Sequence, residues 1–125
     1  MDSPYKSKPL LARPFIALRC AIAGLAAAWR HEVAFRLEVL AFAVLLPVSF
    51  LVGKNALERA LLIGSLLLVL IVELVNSALE ATLDRISLDD HPLIKRAKDI
   101  SSAAVGLTLV NAGVIWLFIF FENFF

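Results

Sequence analysis

The chain has few charged residues and almost no cysteine. Only 18% of its 125 residues are charged and 61% are hydrophobic, whereas apolar residues make up about half of an average soluble domain. Cys20 is the single cysteine, which excludes a disulfide framework within one chain. A mean hydropathy of +0.87 accompanies this scarcity of charge. The composition therefore indicates a membrane protein of one domain, and we expect no nucleic-acid partner.

The common nucleotide-binding and zinc-binding motifs are missing as well. The sequence contains no GxxxxGK[ST] loop, no set of protein-kinase motifs, and no CxxC or HExxH pattern. His31 and His91 are far apart in the sequence and have no matching ligand spacing, so we interpret them as surface residues. A nucleotide or metal site in this chain must be built in another way.

Long apolar runs predict an all-α membrane protein with three transmembrane helices, at about 35–52, 57–84 and 100–121. Residues 1–31 are predicted to contain a basic amphipathic helix that lies in the membrane interface, or alternatively one that packs on the rest of the protein. Arg13 and Arg19 interrupt the apolar stretch that a signal peptide needs, so we expect no cleaved leader. Polar residues 87–99 predict a loop. Residues 1–125 are thus expected to form one membrane-embedded domain.

The distribution of Lys and Arg predicts the orientation of these helices. Six of them lie in the segment up to Arg36 and four lie in residues 85–99, whereas the 53–59 turn holds two and residues 100–125 hold none. Positively charged segments remain on the cytoplasmic side. We therefore expect a cytoplasmic N-terminus, and a C-terminus on the outer or periplasmic side.

A polar stripe follows the second apolar run. Glu73, Asn76, Glu80 and Asp84 fall within roughly 80° of one another on a helix, which is one narrow face. If the span begins near Leu57, about 30 Å of helical rise brings it to the cytoplasmic boundary near Asn76. Glu73 is then predicted just inside the hydrocarbon edge, Glu80 among the headgroups and Asp84 in water. Acids at such a place indicate a functional site.

Two more charged clusters are predicted at the same depth, at the start of the first span and before the third. Their members are Glu32, Arg36 and Glu38, followed by Lys95, Arg96, Lys98 and Asp99. Carboxylates suit Mg²⁺ together with phosphate oxygens, and Lys and Arg suit phosphate. This combination indicates phosphoryl transfer to a lipid hydroxyl. The alternatives are solvated helix ends and a transporter or proton-relay subunit, which the position of the stripe at one membrane edge disfavours.

Three segments carry a family resemblance. "EVAFRLE" at 32–38, "VELVNSALEATLDRI" at 72–86 and "RAKDISSAAV" at 96–105 resemble the small bacterial integral-membrane diacylglycerol kinases in order, spacing and hydropathy. The resemblance extends from about Trp29 to the C-terminus. It implies a homotrimer in the bacterial cytoplasmic (inner) membrane, whose active sites are shared between neighbouring chains. ATP would be the donor, Mg²⁺ the metal, diacylglycerol the acceptor and phosphatidic acid the product. An undecaprenol kinase of the same family is the nearest alternative.

The resemblance also implies roles for individual residues. Glu73 resembles the catalytic base that takes the proton of the lipid hydroxyl, and Glu32 and Glu80 resemble the residues that hold the metal. Before Trp29 the agreement is poorer, since Cys20 replaces an aromatic residue that the family often has near the adenine. The expected phosphate or nucleotide contacts are Asn76, Lys98, Asp99 and Arg13, and the expected supporting residues are Glu38, Arg36, Ser102 and Asp84.

Overall fold

The computed structural model describes residues 9–86 and 91–125, and its regular elements are helices throughout that part of the chain. A short 3₁₀ turn at Leu10–Ala12 leads into the first of four α-helices. The prediction of an all-α protein is confirmed. The helices are α1 Arg13–His31, α2 Val33–Val52, α3 Ala56–Ile86 and α4 Pro92–Phe124.

Four helical segments in the described residues are long and apolar enough to cross a membrane. Three are α2, α3 and α4, which contain the three predicted spans, with mean hydropathies of 2.1, 2.3 and 2.2. The fourth, Leu10–His31, has a mean hydropathy of 1.6. A multi-pass membrane protein fits this architecture. Length and composition alone do not distinguish a span at α1 from the interfacial helix that the sequence predicts.

The helix α4 begins earlier than the sequence predicts. Residues 92–99, predicted as part of a polar loop, are helical, so that prediction is wrong from Pro92 onward; residues 87–90 lie outside the described residues. Proline suits the first turn of a helix because a backbone N–H at that position would have no partner within the helix, so nothing is lost when Pro92 lacks one. His91 Nδ1 accepts a hydrogen bond from the Leu93 N–H at 3.1 Å. Charged residues at 95–99 therefore belong to a helix end.

A tight turn joins α2 to α3 and is held by reciprocal caps. The Glu58 N–H donates to Asn55 Oδ1 at 2.9 Å, and the Lys54 N–H donates to Glu58 Oε1 at 2.9 Å. Such a pair satisfies backbone donors that a helix start leaves without partners. At Gly53 an added Cβ would lie 2.9 Å from Arg59 Cγ and 3.1 Å from Arg59 N. A side chain at this position would therefore force Arg59 to shift.

The helix α3 is the centre of the bundle. It packs most extensively against α4 and next against α2, and Leu62 and Val69 on α3 are buried. Trp116 Nε1 on α4 donates to the Leu62 carbonyl at 3.2 Å. Many large apolar side chains on the outer faces remain exposed, as expected of a protein whose solvent is hydrocarbon.

A polar clasp closes the end of the bundle that carries the C-terminus. Asn123 Nδ2 on α4 donates to the Val52 carbonyl at 2.6 Å and to Glu58 Oε1 at 2.8 Å. Arg59 Nε donates to the Gly53 carbonyl at 3.2 Å. The last turn of α4 is thereby tied to the α2–α3 turn.

Replacing Asn123 by alanine tests this clasp. Asn123→Ala removes both hydrogen bonds and leaves their acceptors without that donor, so we expect the free energy of unfolding to fall by about 1–3 kcal/mol. Equilibrium unfolding in detergent micelles measures the change. Glu122→Ala, at the exposed neighbouring residue, is the control and should stay within about 0.5 kcal/mol of the parent protein. Equal stability of the two variants would contradict the clasp.

Candidate functional site

The polar stripe of α3 begins inside the bundle and becomes more exposed along the helix. Glu73 is 4% exposed and Asn76 is 8% exposed. Glu80, one turn further on, is half-buried, and Asp84 is exposed. The 3.6-residue periodicity of α3 brings these side chains to one face. The stripe is therefore a continuous polar path from the packed interior to one end of the bundle.

Asn76 connects α3 to α4. Ser101 Oγ on α4 donates to Asn76 Oδ1 at 2.5 Å, and Asn76 Nδ2 donates to Glu80 Oε1 at 3.3 Å. Ser101 is itself only 7% exposed. A buried polar group is costly unless it is paired, so this pair sets the relative position of the two helices here.

Acids from three parts of the chain interact electrostatically with Glu73. The negative charges of Glu32, at the α1–α2 junction, and of Glu80, on α3, both act on the Glu73 carboxylate. Glu38 on α2 in turn interacts electrostatically with Glu73. Like charges held together at low dielectric favour a cation between them. We call these four residues the acid cluster: Glu32, Glu38, Glu73 and Glu80.

One oxygen of the acid cluster has no partner within the described part of the chain. Glu38 Oε2 is fully buried and receives no hydrogen bond there. Among the described residues, no group of three or more His, Cys, Asp or Glu side chains is close enough together to hold a metal ion. Mg²⁺ beside phosphates takes one or two carboxylates and completes its shell with other oxygens, so the acid cluster offers a suitable kind of donor for that ion.

The corner between α1 and α2 holds Glu32 in place. Its backbone is extended, with φ −116° and ψ 108°, and its N–H still donates to the Ala28 carbonyl at 2.9 Å. Arg36 Nη1 donates to the Trp29 and Arg30 carbonyls at 3.1 and 3.3 Å. Basic side chains stabilise a helix C-terminus in this way. Arg36 thus binds the end of α1.

Two predicted phosphate ligands form ion pairs near the start of α4. Lys98 Nζ lies 2.7 Å from Asp84 Oδ1, and their side chains are 39% and 59% exposed. Lys95 Nζ lies 2.6 Å from Asp99 Oδ2. Asp84, expected from the sequence as a supporting residue, therefore joins α3 to α4. Exposed pairs of this kind contribute about 0–1 kcal/mol.

Arg13 and Ser102 do not join this group within one chain. Arg13 is the first residue of α1, about 27 Å along the helix from its last residue. Ser102 is exposed, whereas the neighbouring Ser101 is buried and bonded to Asn76. The sequence reasoning missed Ser101. The helical spacing of Ser101, Thr108 and Ala112 could have indicated that Ser101 lies on the buried face of α4, which these three residues share.

A groove of about 610 Å³ lies between α1 and α3 beside the acid cluster. Glu32 lines its end, and Ser77 and Leu74 line it from α3. Ser77 Oγ is buried and has no hydrogen-bond partner in the described residues. The α1 side of the groove is lined by small side chains such as Ala21, Gly24 and Ala28. Short side chains leave this space open next to Glu32.

The fold and the site define a helical membrane protein that gathers acids, an amide and bases at one end of its bundle. The family model of the prokaryotic diacylglycerol kinases matches residues 19–120. The chain therefore belongs to the prokaryotic diacylglycerol kinase family, and the protein is a lipid kinase. Arg13 lies outside the matched residues.

Curated relatives support the same assignment. The chain is 51% identical over 114 residues to a diacylglycerol kinase of Pseudomonas aeruginosa, covering 91% of this chain and 93% of that protein. It is 43% identical over 101 residues to a diacylglycerol kinase of Escherichia coli, covering 81% and 83% respectively. A diacylglycerol kinase of Helicobacter pylori is 41% identical over 116 residues, or 92% of this chain and 89% of the relative.

Adjacent serines on α4 provide a matched test of the Asn76 contact. Ser101→Ala leaves the buried Asn76 carbonyl oxygen without its donor, so we expect the free energy of unfolding to fall by about 1–3 kcal/mol. Ser102→Ala changes an exposed hydroxyl and should alter it by less than about 0.5 kcal/mol. Equilibrium unfolding in the same detergent compares the two variants. A Ser102→Ala variant as unstable as Ser101→Ala would contradict the assignment.

Proposed function

We propose that the protein transfers the terminal phosphoryl group of ATP to the primary hydroxyl of diacylglycerol, which gives phosphatidic acid. The observation that carries this proposal is the buried carboxylate of Glu73 with two further acids acting on it, in a chain of this kinase family. Phosphoryl transfer requires mainly positioning and charge neutralisation from a protein. The acid cluster and the bases of α4 have the chemistry for both.

Glu73 is the proposed general base. Its carboxylate is shielded from water and is positioned one helical turn before Asn76. A base in this place accepts the proton of the lipid hydroxyl as the oxygen attacks phosphorus. Asn76, fixed by Ser101, keeps its amide directed at Glu80 and is the proposed contact for a phosphate oxygen. Glu38 is proposed to support the acceptor hydroxyl.

Glu32 and Glu80 are the proposed ligands for Mg²⁺. The donor chemistry fits, because this ion takes one or two carboxylates together with phosphate oxygens and water. When bound, the ion neutralises charge on the nucleotide phosphates. Glu32 is held by the corner that Arg36 stabilises, and Glu80 accepts a hydrogen bond from Asn76. The backbone of Glu32 and the carboxylate of Glu80 are therefore held in place within the chain itself.

Lys98 is the proposed phosphate-binding base on α4. Its ion pair with Asp84 is partly exposed, so exchanging that carboxylate for a phosphate costs little. Asp84 is proposed to keep the ammonium group near the acid cluster when no nucleotide is bound. Asp99 and Arg13 are proposed nucleotide contacts, and Ser102 is a weaker supporting candidate.

We further propose a homotrimer whose sites are shared between chains. Support comes from an exposed apolar stripe on α3, whose members follow one another at three- and four-residue spacing. Such spacing is typical of helices that pack at a small crossing angle. The stripe comprises Leu57, Leu61, Gly64, Leu68, Ile71 and Val75. The proposed location is the bacterial inner membrane, with α1 in the cytoplasmic interface, the acid cluster at that face and the C-terminus outside.

Replacing Glu73 by glutamine tests the proposed base. Glu73→Gln keeps the shape of the side chain but cannot accept the proton, so we expect lipid phosphorylation to fall by about 10²-fold or more. Transfer of labelled phosphate from ATP to diacylglycerol in mixed micelles measures it. Glu122→Gln, an exposed glutamate at the other end of the bundle, is the control. Full activity of a folded Glu73→Gln oligomer would refute the proposal.

The same assay identifies the acceptor. Purified protein is given diacylglycerol or undecaprenol with ATP, and we expect the diacylglycerol product to form faster. Faster phosphorylation of undecaprenol would keep the proposed chemistry and replace the proposed acceptor.

The metal ligands give a separate prediction. Glu32→Gln and Glu80→Gln each remove one anionic ligand, so we expect the Mg²⁺ concentration for half-maximal activity to rise about tenfold or more. Titration of the kinase rate with Mg²⁺ at fixed ATP measures this shift, with Glu122→Gln as the control. An unchanged Mg²⁺ requirement in both variants would exclude these carboxylates as ligands.

A further inference from the structure

One polar side chain of α4 is exposed in the middle of an apolar segment. Asn111 lies between Val110 and Ala112 in a part of α4 that is otherwise almost wholly apolar, and its side chain is exposed. It makes no side-chain hydrogen bond within residues 9–86 and 91–125, although the polar groups of Ser101, Thr108 and Asn123 on the same helix are all paired. Asn111 is therefore an amide without a hydrogen-bond partner among the described residues of its own chain.

The two polar ends of the bundle define the depth of Asn111. Ser101 is bonded to Asn76 at the end that holds the acid cluster, and Asn123 is bonded to Glu58 at the opposite end. Asn111 lies about 15 Å along α4 from Ser101 and about 18 Å from Asn123. Since the hydrocarbon core of a bilayer is about 30 Å thick, Asn111 is close to its middle.

Asn111 lies on the flank of α4, beside the face that packs in its own bundle. The buried face of α4 carries Thr108 and Ala112, and Asn111 lies about 60° from the first and about 100° from the second around the helix. Its neighbours on the same face are apolar and exposed. They are Ala104, Leu107, Val114 and Phe118.

Hydrocarbon cannot satisfy this amide. Acyl chains have no donors or acceptors, and the helical backbone of α4 already uses its own groups, so an unpaired carboxamide here is costly. A carboxamide has two N–H donors and a carbonyl oxygen that accepts hydrogen bonds. It is therefore self-complementary, which suits contact with an identical chain.

We propose that this face of α4 binds a second copy of the chain, with the Asn111 carboxamide hydrogen-bonded across the interface. The contact adds a second surface to the exposed stripe of α3. The inference rests on the self-association in the proposed function and is independent of the reaction.

Association measurements on Asn111 variants test the interface. Asn111→Leu keeps the size and removes the amide, so we expect a dissociation constant about 3- to 20-fold higher, the range found for interhelical hydrogen bonds in membranes. Energy transfer between labelled chains during detergent dilution measures it. Asn111→Gln should restore part of the affinity, and Leu109→Ile, at an exposed residue about 160° away around α4, should leave it unchanged. Equal affinity of Asn111→Leu and the parent protein would overturn the inference.

A spin label reports the same surface directly. In a Cys20→Ser background a nitroxide is attached at Asn111→Cys or at Leu109→Cys, and its collision rate with oxygen is measured in lipid bilayers. We expect the label at 111 to be shielded and the label at 109 to be more accessible. Equal accessibility at both positions would overturn the interface. Failure of the Glu73→Gln prediction would count against the proposed reaction and would leave this interface unaffected.

Discussion

The hydrogen bond from Ser101 to Asn76 is the contact on which the geometry of the site depends. Both side chains are buried, so breaking the bond would leave a polar group unsatisfied at low dielectric. Glu73 lies one turn before Asn76 on α3, and Lys98 lies one turn before Ser101 on α4. One buried bond therefore sets the distance between the proposed base and the proposed phosphate ligand. Trp116, bonded to Leu62 further along the same pair of helices, keeps this alignment.

The two ends of the bundle handle polarity in opposite ways. At the C-terminal end of α4, Asn123, Glu58 and Arg59 all have hydrogen-bond partners. At the other end Glu73 faces two like charges, and Glu38 keeps a buried oxygen without a partner in the described residues. Folding alone favours the paired arrangement. The end that holds the acid cluster is therefore less favourable for folding, and sites of this kind in proteins are commonly functional.

Hydropathy and helical periodicity were sufficient to predict the helices and the shared face of Glu73, Asn76 and Glu80, because both depend on local sequence. They failed where the answer depends on tertiary contacts. Residues 92–99 were predicted as loop because charge obscured a helix end that continues past the apolar span. Ser101 and Ser102 are the same residue type in neighbouring positions, and only the packing of α4 on α3 makes the first buried and the second exposed. The bond of Arg36 to the end of α1 requires the extended backbone at Glu32, which no periodic pattern indicates.

The site combines a rigid half with an exchangeable half. Asn76, Ser101 and Glu73 are buried, and moving any of them would expose or orphan a polar group in the interior. The Lys98–Asp84 and Lys95–Asp99 pairs are exposed to solvent, and their rearrangement costs little. A lipid kinase must keep the base and acceptor in register while nucleotide enters and leaves in each cycle. With the proposed base in the buried half and the proposed phosphate ligands in the exposed half, one pair of helices would meet both requirements.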